Sequence, residues 1–333
     1  MKIRQWMFAA AACAALATQA VDAAPQARWT LYQIAPMRAP GSTTPLDIND
    51  RGQVVGYGTA SDPVQVTAVH AFLWENGTTI DLGRAPTGYP LSSARAINDR
   101  GTVLGGDGLG AQFTWSDGVW TPLSVPGRAQ TIDFFGAIGG AYGNGSATHG
   151  YISRDGVVTD IGTLGGGYSE VDAMNDRGVA VGKSLIAGNT QYHPYVYEKG
   201  VMRDLGTFGG TFGVALGVNS HGEVVGAAND AANQQFAFIY DGIAIRKLLA
   251  DSSEPSQAVG INDHGTVIGW FEGGAGLSFV HDDGVLTMLD QIPEVRAAGL
   301  SWLVPTAINN RGWITGYGRT ASQSSVGFVL VPK

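Results

Sequence analysis

One short phrase returns along this chain at near-regular intervals. It reads Ile48-Asn49-Asp50-Arg51-Gly52, Ile97-Asn98-Asp99-Arg100-Gly101, Met174-Asn175-Asp176-Arg177-Gly178, Val218-Asn219-Ser220-His221-Gly222, Ile261-Asn262-Asp263-His264-Gly265 and Ile308-Asn309-Asn310-Arg311-Gly312. The asparagines stand 49, 77, 44, 43 and 47 residues apart. A period of this size marks a modular β architecture, in which one supersecondary unit is copied and stacked.

The 77-residue step is wide enough for two units, and a second anchor tests that count. An aromatic follows a small or short residue at Phe72, Phe113, Tyr151, Tyr195, Phe238, Phe279 and Phe328, with steps of 41, 38, 44, 43, 41 and 49 and no gap. Seven units follow. The third lacks the Asn-Asp-Arg-Gly turn, and its first half is expected at Phe134 to Tyr142.

Within a unit, apolar runs of four to six residues are separated by Asn, Asp and Gly. Such runs predict strands joined by tight turns, with Gly taking positive φ. Ala94 to Asn98 is a first strand, and Thr102 to Leu104 begins a second. Ala71 to Trp74 is a third strand, and after Glu75-Asn76-Gly77 the run Thr78 to Leu82 is a fourth. No segment carries a sustained helical period. The prediction is all-β: a seven-bladed β-propeller with four-stranded blades. The last unit ends on its third strand, Val326 to Val331, and Trp29 to Ile34 precedes the first full unit. The ring is therefore expected to close by this N-terminal strand joining the C-terminal blade, which covers two raw sheet edges. An open β-solenoid is the alternative and needs no split unit.

Residues 1–23 read as a secretory signal peptide. Lys2 and Arg4 precede the apolar run Met7 to Ala17, and small residues at Thr18-Gln19-Ala20 and Val21-Asp22-Ala23 offer cleavage sites. The single cysteine, Cys13, lies inside it. Cleavage after Ala23 takes the net charge from −8 to −9. A sparsely charged, acidic chain argues against nucleic acid and anionic membranes as partners, and no other stretch is long enough to span a bilayer. Residues 24–333 are expected to form one repeat domain, monomeric, secreted or periplasmic, and without a cofactor.

The phrase His70-Ala71-Phe72-Leu73-Trp74 with Asp81-Leu82-Gly83 resembles the HAF repeat family, bacterial repeat proteins regarded as extracellular. His149-Gly150-Tyr151 with Asp160-Ile161-Gly162, and His193-Pro194-Tyr195 with Asp204-Leu205-Gly206, look like worn copies. The Gly-rich extensions Thr163-Leu164-Gly165-Gly166 and Thr207-Phe208-Gly209-Gly210 resemble the family's too. The resemblance covers nearly the whole chain after the signal. It implies secretion and repeats, and no reaction.

Each of these histidines precedes its aspartate by 11 residues: His70 and Asp81, His149 and Asp160, His193 and Asp204. The other units replace both members, as in Ala111 and Pro122, Phe236 and Lys247, and Leu277 and Met288. The pair is expected to hydrogen-bond across the hairpin of strands three and four, pinning the blade. A two- or four-residue hairpin loop puts both on one face. Acid–base dyads are the functional alternative, but no nucleophile accompanies them. No metal site is expected: the His and acidic spacings match neither zinc nor calcium patterns.

Tyr168, Phe212 and Trp302 each stand seven residues before their unit's asparagine, where other units have Ser42, Leu91 and Pro255. Aromatics at one register could form a ligand platform near one mouth of the ring, with packing between blades as the competing reading. Glu170 and Asp172, the nearest carboxylates, are counted with the ligand-binding candidates and could serve in a glycosidase or lyase, although solvated surface charge is the expected reading. Trp74, Trp115, Trp120, Trp270 and Trp313 read as packing residues. The function expected is a binding module for an extracellular glycan or protein partner. A secreted polysaccharide hydrolase or lyase, with unknown catalytic residues, and a structural surface protein are the alternatives.

Overall fold

The computed structural model describes residues 29–62, 68–272 and 276–333, so the signal-peptide reading lies outside the described residues. It is built almost wholly of strands. β1 (Trp29–Ile34) stands alone in sequence. Six four-strand groups follow. They are β2 (Thr43–Ile48), β3 (Val54–Ala60), β4 (Ala68–Glu75) and β5 (Thr78–Asp81), then β6 (Ser92–Ile97), β7 (Val103–Asp107), β8 (Gln112–Ser116) and β9 (Val119–Pro122). Next come β10 (Arg128–Ile132), β11 (Ile138–Asn144), β12 (Ala147–Arg154) and β13 (Val157–Gly162), then β14 (Gly165–Met174), β15 (Ala180–Ile186), β16 (Tyr192–Glu198) and β17 (Val201–Asp204). The last two are β18 (Gly209–Val218), β19 (Val224–Asp230), β20 (Gln235–Tyr240) and β21 (Ile245–Lys247), then β22 (Ser256–Ile261), β23 (Val267–Phe271), β24 (Ser278–Asp282) and β25 (Val285–Met288). β26 (Ser301–Ile308), β27 (Ile314–Arg319) and β28 (Ser325–Pro332) end the chain.

Strands within a group pair antiparallel in sequence order. β28 takes β1 as its outer neighbour, with Phe328 opposite Gln33. Single parallel pairs, Thr148 with Tyr168 and Tyr192 with Phe212, join three of the groups into one twelve-stranded sheet. Each group's first strand touches the first strand of the next, and β26 touches β2.

Three positions repeat in every group. The first strand bulges by one residue, at Leu46, Arg95, Gln130, Asp172, Leu216, Val259 and Thr306. Directly before the bulge the strand pairs with a glycine of strand two: Gly56, Gly105, Gly140, Gly182, Gly226, Gly269 or Gly316. A Cβ on any of these glycines would lie 2.6 Å or less from a first-strand carbonyl oxygen, so only glycine lets the bulged strand approach. The same glycine faces the aromatic of strand three, from Phe72 opposite Gly56 to Phe328 opposite Gly316. The missing side chain makes room for the ring, and all seven aromatics are buried.

The recurrent asparagine closes the turn after strand one and also ties units together. Its Oδ1 accepts the N–H groups two and four residues on, as Asn175 does from Arg177 and Val179 at 3.0 Å each. Its Nδ2 donates to the backbone carbonyl of the next unit. Asn175 reaches Asn219, Asn219 reaches Asn262, Asn262 reaches Asn309, Asn309 reaches Asn49, Asn49 reaches Asn98 and Asn98 reaches Asp133, at 2.8 to 3.2 Å.

The third group corrects the sequence reading. Its first strand begins at Arg128 rather than Phe134, and its turn is intact with Asp133 in the asparagine's place. Asp133 Oδ1 accepts the Ala137 N–H at 2.7 Å, and Arg154 lies 3.3 Å from Oδ2. A carboxylate has no N–H to pass on, so the link to the fourth group comes from the Phe134 N–H donating to Asp176 at 2.8 Å. A second departure is the short helix Pro293–Ala297, too brief to leave a period in the sequence. It starts with Pro at its first turn, carries Glu294 there, and buries Val295.

Candidate functional site

The three His–Asp pairs meet. His70 Nδ1 lies 2.9 Å from Asp81 Oδ1, His149 Nδ1 2.8 Å from Asp160 Oδ2, and His193 Nδ1 2.9 Å from Asp204 Oδ2. Each hairpin has a two-residue turn, as at Asn76-Gly77, and the aspartate sits directly opposite the buried aromatic two residues after the histidine. The pair therefore shares one face on a diagonal. Oδ1 of each aspartate also accepts the N–H of the glycine two residues on, Gly83, Gly162 or Gly206, at 2.7 to 2.8 Å. These glycines have φ of 71° to 75°, which accounts for the Asp-x-Gly spacing. In the fifth group, where the pair is absent, the same diagonal still makes contact: Lys247 Nζ sits 3.2 Å above the Phe236 ring. Asp160 is held below the usual carboxylate range. Burial opposes this, but the Gly162 N–H, His149 and Tyr142 outweigh it.

The aromatics at the third register divide. Tyr168 and Phe212 both pack edge-on against Tyr192, with ring centroids 5.6 and 6.1 Å apart. The three form a half-buried row across the junction of the fourth and fifth groups. Trp302 makes its ring contact elsewhere, under Arg319 at 4.7 Å. It is 50% exposed and has φ of 52°, an uncommon value for a bulky residue.

The carboxylates beside Tyr168 correct the expectation of solvated charge. Tyr168 donates its hydroxyl to Glu170 Oε2 at 2.6 Å, and Lys183 pairs with Glu170 Oε1. Lys183 stands opposite Glu170 in the β14–β15 register, so the ion pair is a cross-strand neighbour. Burial pushes Glu170 up, but Lys183 and Tyr168 outweigh it and the group lies low. Asp172 is the bulged residue of its strand. Burial first, and the Glu170 charge second, push it up to about 7. Its Oδ2 is buried and has no hydrogen-bond partner. The bulge explains the difference: one extra residue re-aims the side chain, so Glu170 and Asp172 meet different surroundings although two residues apart.

Asp47 is also pushed up to about 7, by burial against the opposing pull of the Ile97 and Ile48 N–H groups. For both aspartates the folded state keeps a proton that the unfolded chain releases near 3.8. The folded state thus binds more protons between about pH 4 and 7, and stability falls as pH rises through that window. Asp172→Asn is expected to flatten the fall and to raise stability at pH 8, by roughly 4 kcal/mol at most. Urea unfolding at pH 5 and pH 8 checks this. A variant no more stable than the native chain at pH 8 contradicts it.

At the opposite end of the first strands, the asparagine turns enclose a cavity of about 200 Å³. Ile48, Ile97, Ile132, Met174, Val218, Ile261 and Ile308 line it behind the rim of Asn and Asp side chains. Its carboxylates already accept backbone N–H groups, as Asp99 does from Asp50 at 2.7 Å. Outside the rim, Arg51, Arg100, Arg177, His221, His264 and Arg311 are exposed. Among the described residues, no group of three or more His, Cys, Asp or Glu is placed to hold a metal ion. No helix among them is long and apolar enough to cross a membrane.

This architecture has solved counterparts. The chain is similar to the β-propeller domain of the Trilobed protease from Pyrococcus furiosus, described as having an open velcro topology. The match has a TM-score of 0.54 and 13% identity, over 86% of this chain and 95% of that one. The fold is a β-propeller. YCF48 bound to D1 peptide matches with a TM-score of 0.55 and 14% identity, over 94% of this chain and 99% of its own. The acylaminoacyl peptidase of Pyrococcus horikoshii matches with a TM-score of 0.51 and 11% identity, over 90% of this chain. That match covers 51% of the peptidase's own chain. No protein family model matches the sequence, and no curated protein does.

Sequence reading missed several residues that complete the site. Lys183 was legible only once its register opposite Glu170 was known. Arg128 and Gln130 lie on the first strand of the worn third repeat, which hid their alignment, and Arg95 lies on the first strand of the group before it. Tyr192 sits at the start of a third strand, a position that no repeat phrase marks.

Proposed function

We propose that the chain is a secreted or periplasmic seven-bladed propeller, one domain over residues 24–333, closed by β1. We further propose that it acts as a binding module for an extracellular glycan or protein partner. The blade count is supported by the seven repeats of bulge, glycine and aromatic, and closure by the β1–β28 pairing. The HAF-like phrases support an extracellular role.

The observation that carries the binding reading is the cluster of Tyr168, Glu170, Asp172 and Lys183 at the start of a first strand. In it the buried Asp172 Oδ2 has no hydrogen-bond partner, beside a Glu170 that is paired on both oxygens. A buried acceptor without a donor is costly unless a ligand supplies one. A glycan array probed with the full chain, and with Asp172→Asn, tests this. Binding that falls at least tenfold in the variant supports the site. Undiminished binding puts it elsewhere, with exposed Trp302 the next substitution. An array without signal turns the reading toward a protein partner or a structural surface role.

A second reading, a polysaccharide hydrolase or lyase, draws on the same residues. Glu170 lies low and Asp172 high, a separation of the kind that divides base from acid. Product release from a polysaccharide that the protein binds, abolished in Asp172→Asn, distinguishes it from simple binding.

A further inference from the structure

The bulged residues form a ring whose character changes around the axis. Leu46, Leu216 and Val259 are apolar and Thr306 carries a hydroxyl, whereas the long polar or charged Arg95, Gln130 and Asp172 belong to three successive blades. Two residues before the bulge the side chain is charged only in this sector, at Arg128 and Glu170, and it is uncharged at Thr44, Ser93, Val214, Gln257 and Val304. Neighbouring first strands touch, so these side chains arise from one patch of wall.

Within that sector, partners are unequally distributed. Arg95 donates to Gln130 Oε1 at 2.9 Å, joining two blades. Glu170 is occupied on both oxygens by Tyr168 and Lys183. Arg128 is exposed, and its guanidinium makes no hydrogen bond to a described residue. Its charge is felt by Arg95, Glu170 and Asp172 alike. With Glu170 and Lys183 neutralising one another, the remaining charged side chains of the sector are Arg95, Arg128 and Asp172. That is a local positive excess on a chain of net charge −8.

We infer that this sector binds the carboxylate of a hexuronate residue in an acidic glycan, with Arg128 and Arg95 holding the anion and Asp172 Oδ2 accepting a sugar hydroxyl. The inference rests on the binding reading above and names its ligand class. A guanidinium fork matches a carboxylate in shape and charge, which a lysine does not. The orphaned Asp172 oxygen asks for a donor close to that anion, and a sugar ring carries hydroxyls beside its carboxylate.

Calorimetric titration of the full chain with three uronate trimers of different configuration, their methyl esters and the matching neutral trimers tests this. At least one uronate is expected to bind tenfold or more tighter than its ester and its neutral counterpart. Arg128→Gln is expected to lose tenfold or more of that affinity with an unchanged unfolding midpoint, and Arg128→Lys to lose less. Uronates binding no tighter than neutral trimers, or an Arg128→Gln protein with native affinity, overturn the inference. Binding of neutral glycans alone would do so while leaving the binding-module reading standing, and an array without signal separately turns that reading toward a protein partner or a structural surface role.

Discussion

Gly226→Ala is expected to destabilise the protein by about 3 kcal/mol or more, and Gly143→Ala to leave it near native or slightly more stable. Both glycines lie in second strands of their blades. A Cβ at Gly226 would enter the Val214 carbonyl and come within 3.0 Å of the Phe238 ring. Neither neighbour can retreat. The carbonyl belongs to the bulged first strand, and Phe238 is fully buried. At Gly143 nothing lies within 4 Å of the same atom. The pair thus separates the cost of steric conflict from the entropy that alanine removes from the unfolded chain. Urea unfolding of both variants checks it, and equal midpoints would show that the close approach is not what requires glycine.

Asn219→Ala is expected to cost roughly 3 to 5 kcal/mol, far more than an exposed turn residue. Asn219 is 3% exposed. Its Oδ1 accepts the His221 and Glu223 N–H groups at 3.0 Å each. Its Nδ2 donates to the Asn262 carbonyl at 3.2 Å and to Glu223 Oε2 at 2.7 Å. Alanine strands two backbone donors and one carbonyl, each costing about 1–3 kcal/mol when buried and unpaired. Ser220→Ala, one residue along the same turn, leaves all four bonds in place and is the control. Thermal unfolding with the control near native and Asn219→Ala strongly lowered is the expected result. Similar losses in both would assign the effect to the turn as a whole.

Much of the fold was legible because turns announce themselves. The Asn-x-x-Gly phrase and the aromatic anchor are local, and they marked the repeated turn and third strand even where one phrase had worn away. The third unit shows the limit. Asp133 does the turn-closing work of asparagine, so the turn survives, but the letters differ and its strand was placed too late. The His–Asp spacing of 11 was visible as a pattern, and the two-residue turn that makes it a contact was one of several options.

The candidate site was legible only in part. Tyr168, Glu170 and Asp172 share one stretch of chain, and the sequence marked all three. That Glu170 is paired while Asp172 is buried and orphaned follows from the bulge at Asp172, and the bulged residue itself carries no sequence signature. Tyr168 and Phe212 meet through Tyr192, while Trp302 stands apart, although all three hold one register.

The sequence by itself determined the repeat, its period, the strand and turn order within a unit, and the residue types each turn requires. These are near-neighbour matters, settled by backbone conformation within a few residues. Tertiary structure alone decided which carbonyl each asparagine reaches in the next blade, which first-strand side chains share a wall, and which carboxylate keeps its proton. Those depend on distances between residues about 40 positions apart, and on how far each side chain is withdrawn from water.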